Sequence, residues 1–293
     1  HLRRRPYVDR PLSGHQSAQR PQLRAGIVHE DENHHVGAPA VAAWNPANVT
    51  EPINRSAMSK MAAVVREATD DLNNYEHSKA LEVIENYFWQ FCDDYIELVK
   101  NRAYGTADST GHVPSEKAVK SARTALGLGL DAFTRLLAPY LPYATEEVWS
   151  WMHEGEGSVH RAAWPKAETY AAAAFKASPE LLTHAGEALA ALRGIKSKAK
   201  VSMKTPILSV KLGVSDEVRG SIESALADIA EAGRVVGRIS FVGAAAAAKA
   251  IKETAEAAKD AAAEAKAEAE AAIDVIVADS ELGEPPAKKP KNQ

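Results

Sequence analysis

Two groups of cationic side chains have the type and spacing to bind phosphates. The helix-end group flanks a loop near residues 103–115 and consists of Lys100, Arg102, Lys117, Lys120 and Arg123. The basic run lies further along the chain, contains no acidic residue, and includes Arg193, Lys196, Lys198, Lys200 and Lys204. Cations hold an RNA backbone while aromatic side chains stack on unpaired bases, so both groups predict RNA recognition.

Each group also has a plainer interpretation. The helix dipole favours cations at the carboxyl end of a helix, which accounts for Lys100 and Arg102 without RNA. The basic run is also consistent with a solvated polar linker. The net charge of −4 gives no general attraction to nucleic acid, so RNA affinity has to come from a local cationic patch.

Residues for other chemistry are not combined in a useful pattern. Asp93 and Asp94 are adjacent and diverge by about 100° on a helix, so they do not form an acid–base pair. The histidine-rich stretch at 29–35 has Asn33 four residues after His29, where a zinc protease would have a second histidine. We therefore predict no catalytic residue and no metal site.

Composition indicates a globular protein of a reducing compartment. A length of 293 residues suggests about two domains. The single cysteine, Cys92, lies in an apolar helical stretch and is predicted to be a buried small hydrophobe. No stretch reaches the length of a membrane span, and the N-terminus lacks an apolar signal core. We expect a cytoplasmic protein that does not enter a membrane.

The cations are positioned by helices, and the strongest helical pattern covers residues 77–103. Its apolar residues recur at steps of three and four, and they are Leu81, Ile84, Phe88, Phe91, Tyr95 and Leu98. This spacing places them on one face, which neighbouring helices have to cover.

Three further helices are expected around this one. They cover 56–74, with Ser56 as the N-cap, 116–137, opened by Ser115, and 143–153. Gly127 and Gly129 lower helix propensity in the third helix, and we attribute them to the close approach of another backbone. Short loops between the four helices predict an antiparallel bundle.

The composition changes after the bundle. We predict a helix over 178–195, strands at 207–214, 238–242 and 273–277, a helix over 216–231, and an Ala-rich helix over 244–272. The expected fold is mainly α: an antiparallel helix bundle followed by a small α/β appendage with an Ala-rich helix. The expected segments are 1–45, 46–168 (bundle), 169–206 (connecting helix and basic run), 207–278 (α/β region) and a disordered tail, 279–293.

Two stretches resemble a known family. FWQFCDDYIELVKNRAYG (88–105) and LLAPYLPYATEEVWSWM (136–152) are similar to the anticodon-binding helix bundle of class I aminoacyl-tRNA synthetases. The string DYIELVKNR (94–102) most resembles the valyl branch, as does the basic stretch GIKSKAKVSMKTP (194–206) of its bacterial members.

The resemblance implies a function for the cationic groups. This family receives the anticodon at one end of the bundle, so the partner is expected to be tRNA, specifically tRNA(Val), bound by a monomer. The parent enzymes attach valine to tRNA with ATP and Mg²⁺. The catalytic signatures and the editing domain of the family are absent from this sequence, so we expect an inactive C-terminal fragment without a cofactor.

Alternatives remain at two places. The alternative function is that of a non-catalytic helical interaction module, or of an inactive fragment without RNA affinity. Residues 57–61, Ala-Met-Ser-Lys-Met, imitate an ATP-binding loop of the family but lack its leading Lys and final Ser. Residues 1–45 are rich in Arg, free of Lys and aperiodic, which indicates a disordered arm or an out-of-frame translation product up to about residue 40.

Overall fold

A computed structural model describes residues 44–109 and 111–243, together with the backbone of a strand at 274–278. The predictions for residues 1–43, for the Ala-rich helix and for the tail lie outside these residues. The helices are α1 (Pro52–Asn73), α2 (His77–Gln90), α3 (Ile96–Tyr104), α4 (Glu116–Leu137), α5 (Pro142–Met152), α6 (Ala167–Ala173), α7 (Leu181–Lys198), α8 (Asp216–Ile222) and α9 (Leu226–Gly233). The strands are β1 (Ile207–Gly213), β2 (Val235–Val242) and β3 (Asp274–Ala278). The mainly α fold is confirmed.

The helix predicted over residues 77–103 forms, with one irregularity. Helix α2 continues into α3 through a π-helical turn at Phe91–Tyr95. Such a turn accommodates an additional residue, and after it both Leu98 and Val99 are buried. Before it, Tyr87 is buried whereas Phe88 is half-buried, so the predicted face is correct to within one residue.

Helix α4 has the predicted bounds, and its glycines have a different explanation from the one expected. The Ser115 hydroxyl caps the helix by accepting from the amide of Ala118. A Cβ atom on Gly127 would lie 2.2 Å from the ring of Trp44, and one on Gly129 would lie 2.4 Å from the ring of Phe91. Aromatic side chains, not a second backbone, occupy the space beside these glycines.

Helix α1 begins four residues before the predicted start. Pro52 opens it, because the ring of proline fixes a helical φ and the first turn needs no amide donor. The predicted cap, Ser56, is buried inside the helix. Its hydroxyl donates to the carbonyl of Pro179 at 3.2 Å and accepts from the amide of Leu182 at 3.0 Å. Ser56 therefore caps α7 and not α1.

The helices that cover the core are not all those expected. Helix α5 packs on α4 around a small separate cluster of Ala138, Trp149 and Val159. Helix α7 instead contributes to the main core with α1 and the π-helical turn, through Leu181, Leu182, Leu189 and Leu192. Helix α6 was not predicted; it packs on α1 and buries Tyr170.

A polar cluster fastens α5 to α4. The His153 ring lies between two carboxylates, at 2.8 Å from Glu156 and 3.3 Å from Asp131, and it stacks on Trp149 with 3.5 Å between the ring centroids. Arg135 pairs with Asp131 on its other side. These contacts compensate for the small apolar area beneath α5.

The C-terminal part of the described chain, from β1 to β3 and including α8 and α9, is called the α/β unit below. Its strands are parallel, in the order β2-β1-β3, and their positions agree with the predicted strands. The helix expected over 216–231 is interrupted by a 3₁₀ turn at Glu223–Ala225. Buried side chains of β1 and α9 join those of the bundle in one continuous core. Among the described residues, no helix is long and apolar enough to cross a membrane.

Candidate nucleic-acid interface

The facing ends of α3 and α4 lie side by side, as the sequence predicted. Gly105 ends α3 in the left-handed conformation, with φ 74°, which glycine adopts without strain. Arg123 of α4 donates through Nε to the carbonyl of Ala103 at 2.7 Å. The loop at 105–115, called the connecting loop below, therefore starts and ends at one end of the bundle.

The connecting loop is folded, not extended. Asp108 organises its tip, because the Asp108 carbonyl accepts from Gly111 at 3.0 Å and the carboxylate accepts from the amide of His112 at 2.9 Å. The amide of Ser109 donates to the carboxylate of Glu231 in α9 at 2.8 Å. Thr110 is outside the described residues.

Three members of the helix-end group face solvent around this loop. Lys117 and Lys120 are exposed on the first turns of α4, and neither has an ion-pair partner among the described residues. Arg123 is exposed apart from its bond to Ala103. These side chains are available to a ligand at the end of the bundle.

The other two members already have partners within the protein. Lys100 is exposed and pairs with Glu97 at 2.9 Å, a pairing that solvent screens strongly. Arg102 is largely enclosed, donates to Asp228 of α9, and lies 3.8 Å from Glu51. Burial raises the pKa of Asp228 to about 6, even though the Arg102 charge acts in the opposite direction. Arg102 therefore connects the bundle to the α/β unit.

The basic run divides in the same way. Arg193 donates to Glu97 at 2.6 Å, so α7 and α3 are linked there. Lys196 is only 2% exposed, and its ammonium donates to the carbonyls of Met203 and Gly233 at 3.0 and 2.9 Å. Burial, and then the nearby charge of Arg234, lower the pKa of Lys196. By contrast, Lys198, Lys200 and Lys204 are exposed.

The two cationic groups meet at a single carboxylate. Glu97 accepts from Lys100 of the helix-end group and from Arg193 of the basic run. The sequence pattern did not predict this contact, since residues 97 and 193 are far apart along the chain.

An exposed aromatic residue at the same end of the bundle was not predicted from the sequence as a candidate RNA contact. Tyr104 is the last residue of α3 and is 57% exposed, beside the connecting loop. Its position away from the buried stripe and directly before Gly105 was the available signal. Phe91 and Tyr95 are buried in the core, as predicted, and Tyr87 is buried beside them. The hydroxyl of Tyr95 donates to Asn54 at 2.9 Å.

The residues that imitate an ATP-binding loop lie within α1. Ala57, Met58 and Met61 are fully buried there. The ammonium of Lys60 donates to Gln90 at 3.0 Å and to Thr183 at 2.5 Å, and burial lowers its pKa. This segment is a packed helix without the open face that a nucleotide phosphate requires. No group of three metal-ligating side chains occurs among the described residues.

The helix bundle, with its open cationic end, matches the family model described as the anticodon-binding domain of tRNA ligase over residues 54–212. The chain belongs to this family. It is 68% identical over 266 residues to a valine--tRNA ligase of Bifidobacterium longum, strain NCC 2705, an alignment that covers 91% of this chain and 27% of the relative.

More distant relatives carry the same description. The chain is 44% identical over 201 residues to the valine--tRNA ligase of Leifsonia xyli, covering 69% of this chain and 22% of the relative. It is 43% identical over 190 residues to that of Salinispora tropica, covering 60% and 21%. The chain thus spans about a quarter of the length of these relatives.

Proposed function

We propose that this chain binds tRNA at the anticodon side, as one part of a longer valine--tRNA ligase. The observation that carries the proposal is the family match over residues 54–212, combined with exposed cations around the connecting loop. Phosphates bind to exposed lysines and arginines, and unpaired bases stack on exposed aromatic rings. Both kinds of group are present at this end of the bundle.

The accessible cations are the proposed phosphate contacts. They are Lys100, Lys117, Lys120 and Arg123 from the helix-end group, with Arg193, Lys198, Lys200 and Lys204 from the basic run. Of these, Lys100 and Arg193 would have to exchange Glu97 for a phosphate. Arg102 and Lys196 are assigned a structural role instead, because both are enclosed and already donate hydrogen bonds to other parts of the protein. An RNA contact by either residue would first require breaking these bonds.

We assign tRNA(Val) as the partner of a monomeric chain in the cytoplasm, on the strength of similarity to valine--tRNA ligases. ATP and Mg²⁺ would serve the parent enzyme outside this chain, because the nearest imitation of an ATP-binding loop is a packed helix. This chain alone is proposed not to activate valine.

The alternative of a helical module without RNA affinity has some support. Glu97, Glu51 and Asp228 each lie against a cation of the two groups. These acids lower the positive potential of the surface and account for part of the cationic pattern without RNA.

Electrophoretic mobility shift with the whole chain separates the two functions. A tRNA that carries a valine anticodon should shift at lower protein concentration than a tRNA for an unrelated amino acid. Equal, salt-insensitive shifts, or no shift at low salt, would favour the helical module. Exchange of valine-dependent pyrophosphate into ATP should stay at background, and turnover would contradict the assignment of an inactive part.

A further inference from the structure

Helix α9 contacts the connecting loop at its tip. The carboxylate of Glu231 accepts from the backbone amide of Ser109 at 2.8 Å, although the two residues are 122 positions apart. The bonds that Gly111 and His112 make with Asp108 lie within the loop itself. Glu231 thus connects a locally folded loop to a separate element.

Helix α9 is well placed to hold the loop in position. Asp228 and Glu231 are three residues apart, so they lie on the same face of a helix. Asp228 binds Arg102 just before the loop, while Glu231 binds Ser109 within it. On another side, α9 packs closely on α7, since a Cβ atom on Gly233 would lie 2.6 Å from Leu192.

The charge and the hydrogen bond of Glu231 are expected to change RNA affinity in opposite directions. A carboxylate beside the connecting loop repels phosphates and, by itself, weakens RNA binding. Its hydrogen bond instead restricts the loop and lowers the entropy lost when RNA orders it. Substitutions that keep the bond but remove the charge can distinguish these two effects.

We propose that Glu231 is a positioning residue for RNA binding, which fixes the connecting loop between the cationic ends of α3 and α4 through the amide of Ser109. The inference rests on the proposed function, since it assigns the loop to the tRNA-binding surface. Glu231 itself does not contact RNA. The α/β unit and its helices would then set the shape of a binding surface that belongs to the bundle.

The test compares Glu231→Gln with Glu231→Ala in the full chain, using a tRNA with a valine anticodon. Gln keeps an oxygen that accepts from Ser109 and loses the charge, so its affinity should equal or exceed that of the parent. Ala loses the bond, and its affinity should fall about three- to tenfold, the range for one hydrogen bond. Glu217→Ala, an exposed acid of α8, is the charge-matched control.

If Glu231 acts by charge alone, Gln, Ala and the Glu217→Ala control will all bind as tightly as the parent or more tightly, and the inference falls. Hydrogen exchange of the Ser109 amide supplies a readout without RNA. It should be faster in Glu231→Ala than in the parent and unchanged in Glu231→Gln. If the parent chain fails to bind tRNA, the proposed function is overturned. If the parent binds and Glu231→Ala has the same tRNA affinity as Glu231→Gln, only the positioning role is overturned.

Discussion

The guanidinium of Arg102 donates to the carboxylate of Asp228, 126 residues further along the chain. Both side chains are largely enclosed, and Glu51 lies 3.8 Å from the same guanidinium. This pair joins the end of α3 to α9. A residue whose position suggests a tRNA contact therefore connects two parts of the fold.

Replacing Arg102 should destabilise the protein before it affects RNA. Above about pH 6, where Asp228 is ionised, Arg102→Ala leaves this buried charge without its partner, which costs about 3–5 kcal/mol of unfolding free energy. Urea denaturation followed by circular dichroism measures this. Lys79→Ala, which breaks the exposed pair of Lys79 with Glu76, should leave the unfolding free energy nearly unchanged.

A double variant tests the pairing itself. Arg102→Ala combined with Asp228→Asn removes both charges, so it should destabilise less than the sum of the two single substitutions. Strictly additive effects would mean that the two residues do not stabilise each other.

Asp228 should also give the protein a recognisable pH dependence. Its folded pKa of about 6 lies above the ordinary value of 3.8, so the folded protein holds this proton more tightly than the unfolded chain does. The stabilisation by Asp228 is therefore complete below pH 4 and is lost as the pH rises through 6. Between about pH 4 and pH 7 the parent should lose about 2–3 kcal/mol relative to Asp228→Asn.

Unfolding free energies of the parent and of Asp228→Asn, measured across this pH range, make the comparison. Any effect of the substitution that does not depend on pH cancels in the slope. Parallel curves for the two proteins would show that Asp228 titrates normally in the folded state.

The availability of the cations could not be predicted from the sequence. The spacing of the apolar residues correctly predicted that the ends of α3 and α4 lie together, because this depends on helix length and on a short loop. Whether a cation is free depends on acids that only the tertiary fold brings close: Asp228 for Arg102, and Glu97 for Arg193. Lys196 is the extreme case, since it is buried and donates to two carbonyls.

The glycines of α4 allow a matched test of close packing. Gly127→Ala and Gly129→Ala would each push a methyl group into an aromatic ring, and overpacking of this kind costs about 1–3 kcal/mol. A Cβ atom on Gly194 in α7 or on Gly220 in α8 would have no neighbouring atom within 4 Å, so alanine there should stabilise by up to about 1 kcal/mol. Thermal unfolding of the four variants measures the effect, and the same sign at all four sites would contradict the packing described.

Tyr104 should contribute to RNA binding through its ring. Tyr104→Ala is expected to weaken tRNA affinity by about 1–3 kcal/mol, the range for one stacked base, whereas Tyr104→Phe should bind nearly as the parent does. Stability should change little, because the ring is exposed. Tyr143→Ala, on the exposed face of α5, is the control, and an equal loss of affinity in that variant would argue against a local stacking role.

The helices themselves were predictable where local signals agree. In α4, the cap at Ser115 and the long run of apolar residues at steps of three and four predict the same helix bounds. In α1, Pro52 and Ser56 are competing start signals, and the hydroxyl of Ser56 is instead used by α7. Helix α6 has a short, Ala-rich sequence without a strong apolar period, and tertiary packing of Tyr170 stabilises it.

The salt dependence of tRNA affinity tests the central claim most directly. Lys117→Ala/Lys120→Ala removes two exposed charges at the connecting loop. The control, Lys79→Ala/Lys166→Ala, removes two exposed charges at the opposite end of the bundle. At that end, Trp164 contacts Thr69 near the end of α1. If Lys117 and Lys120 bind phosphates, the first variant should bind more weakly and its slope of log affinity against log salt should be shallower by about 1.4. The second variant should match the parent, and identical slopes for all three proteins would contradict tRNA binding at this end of the bundle.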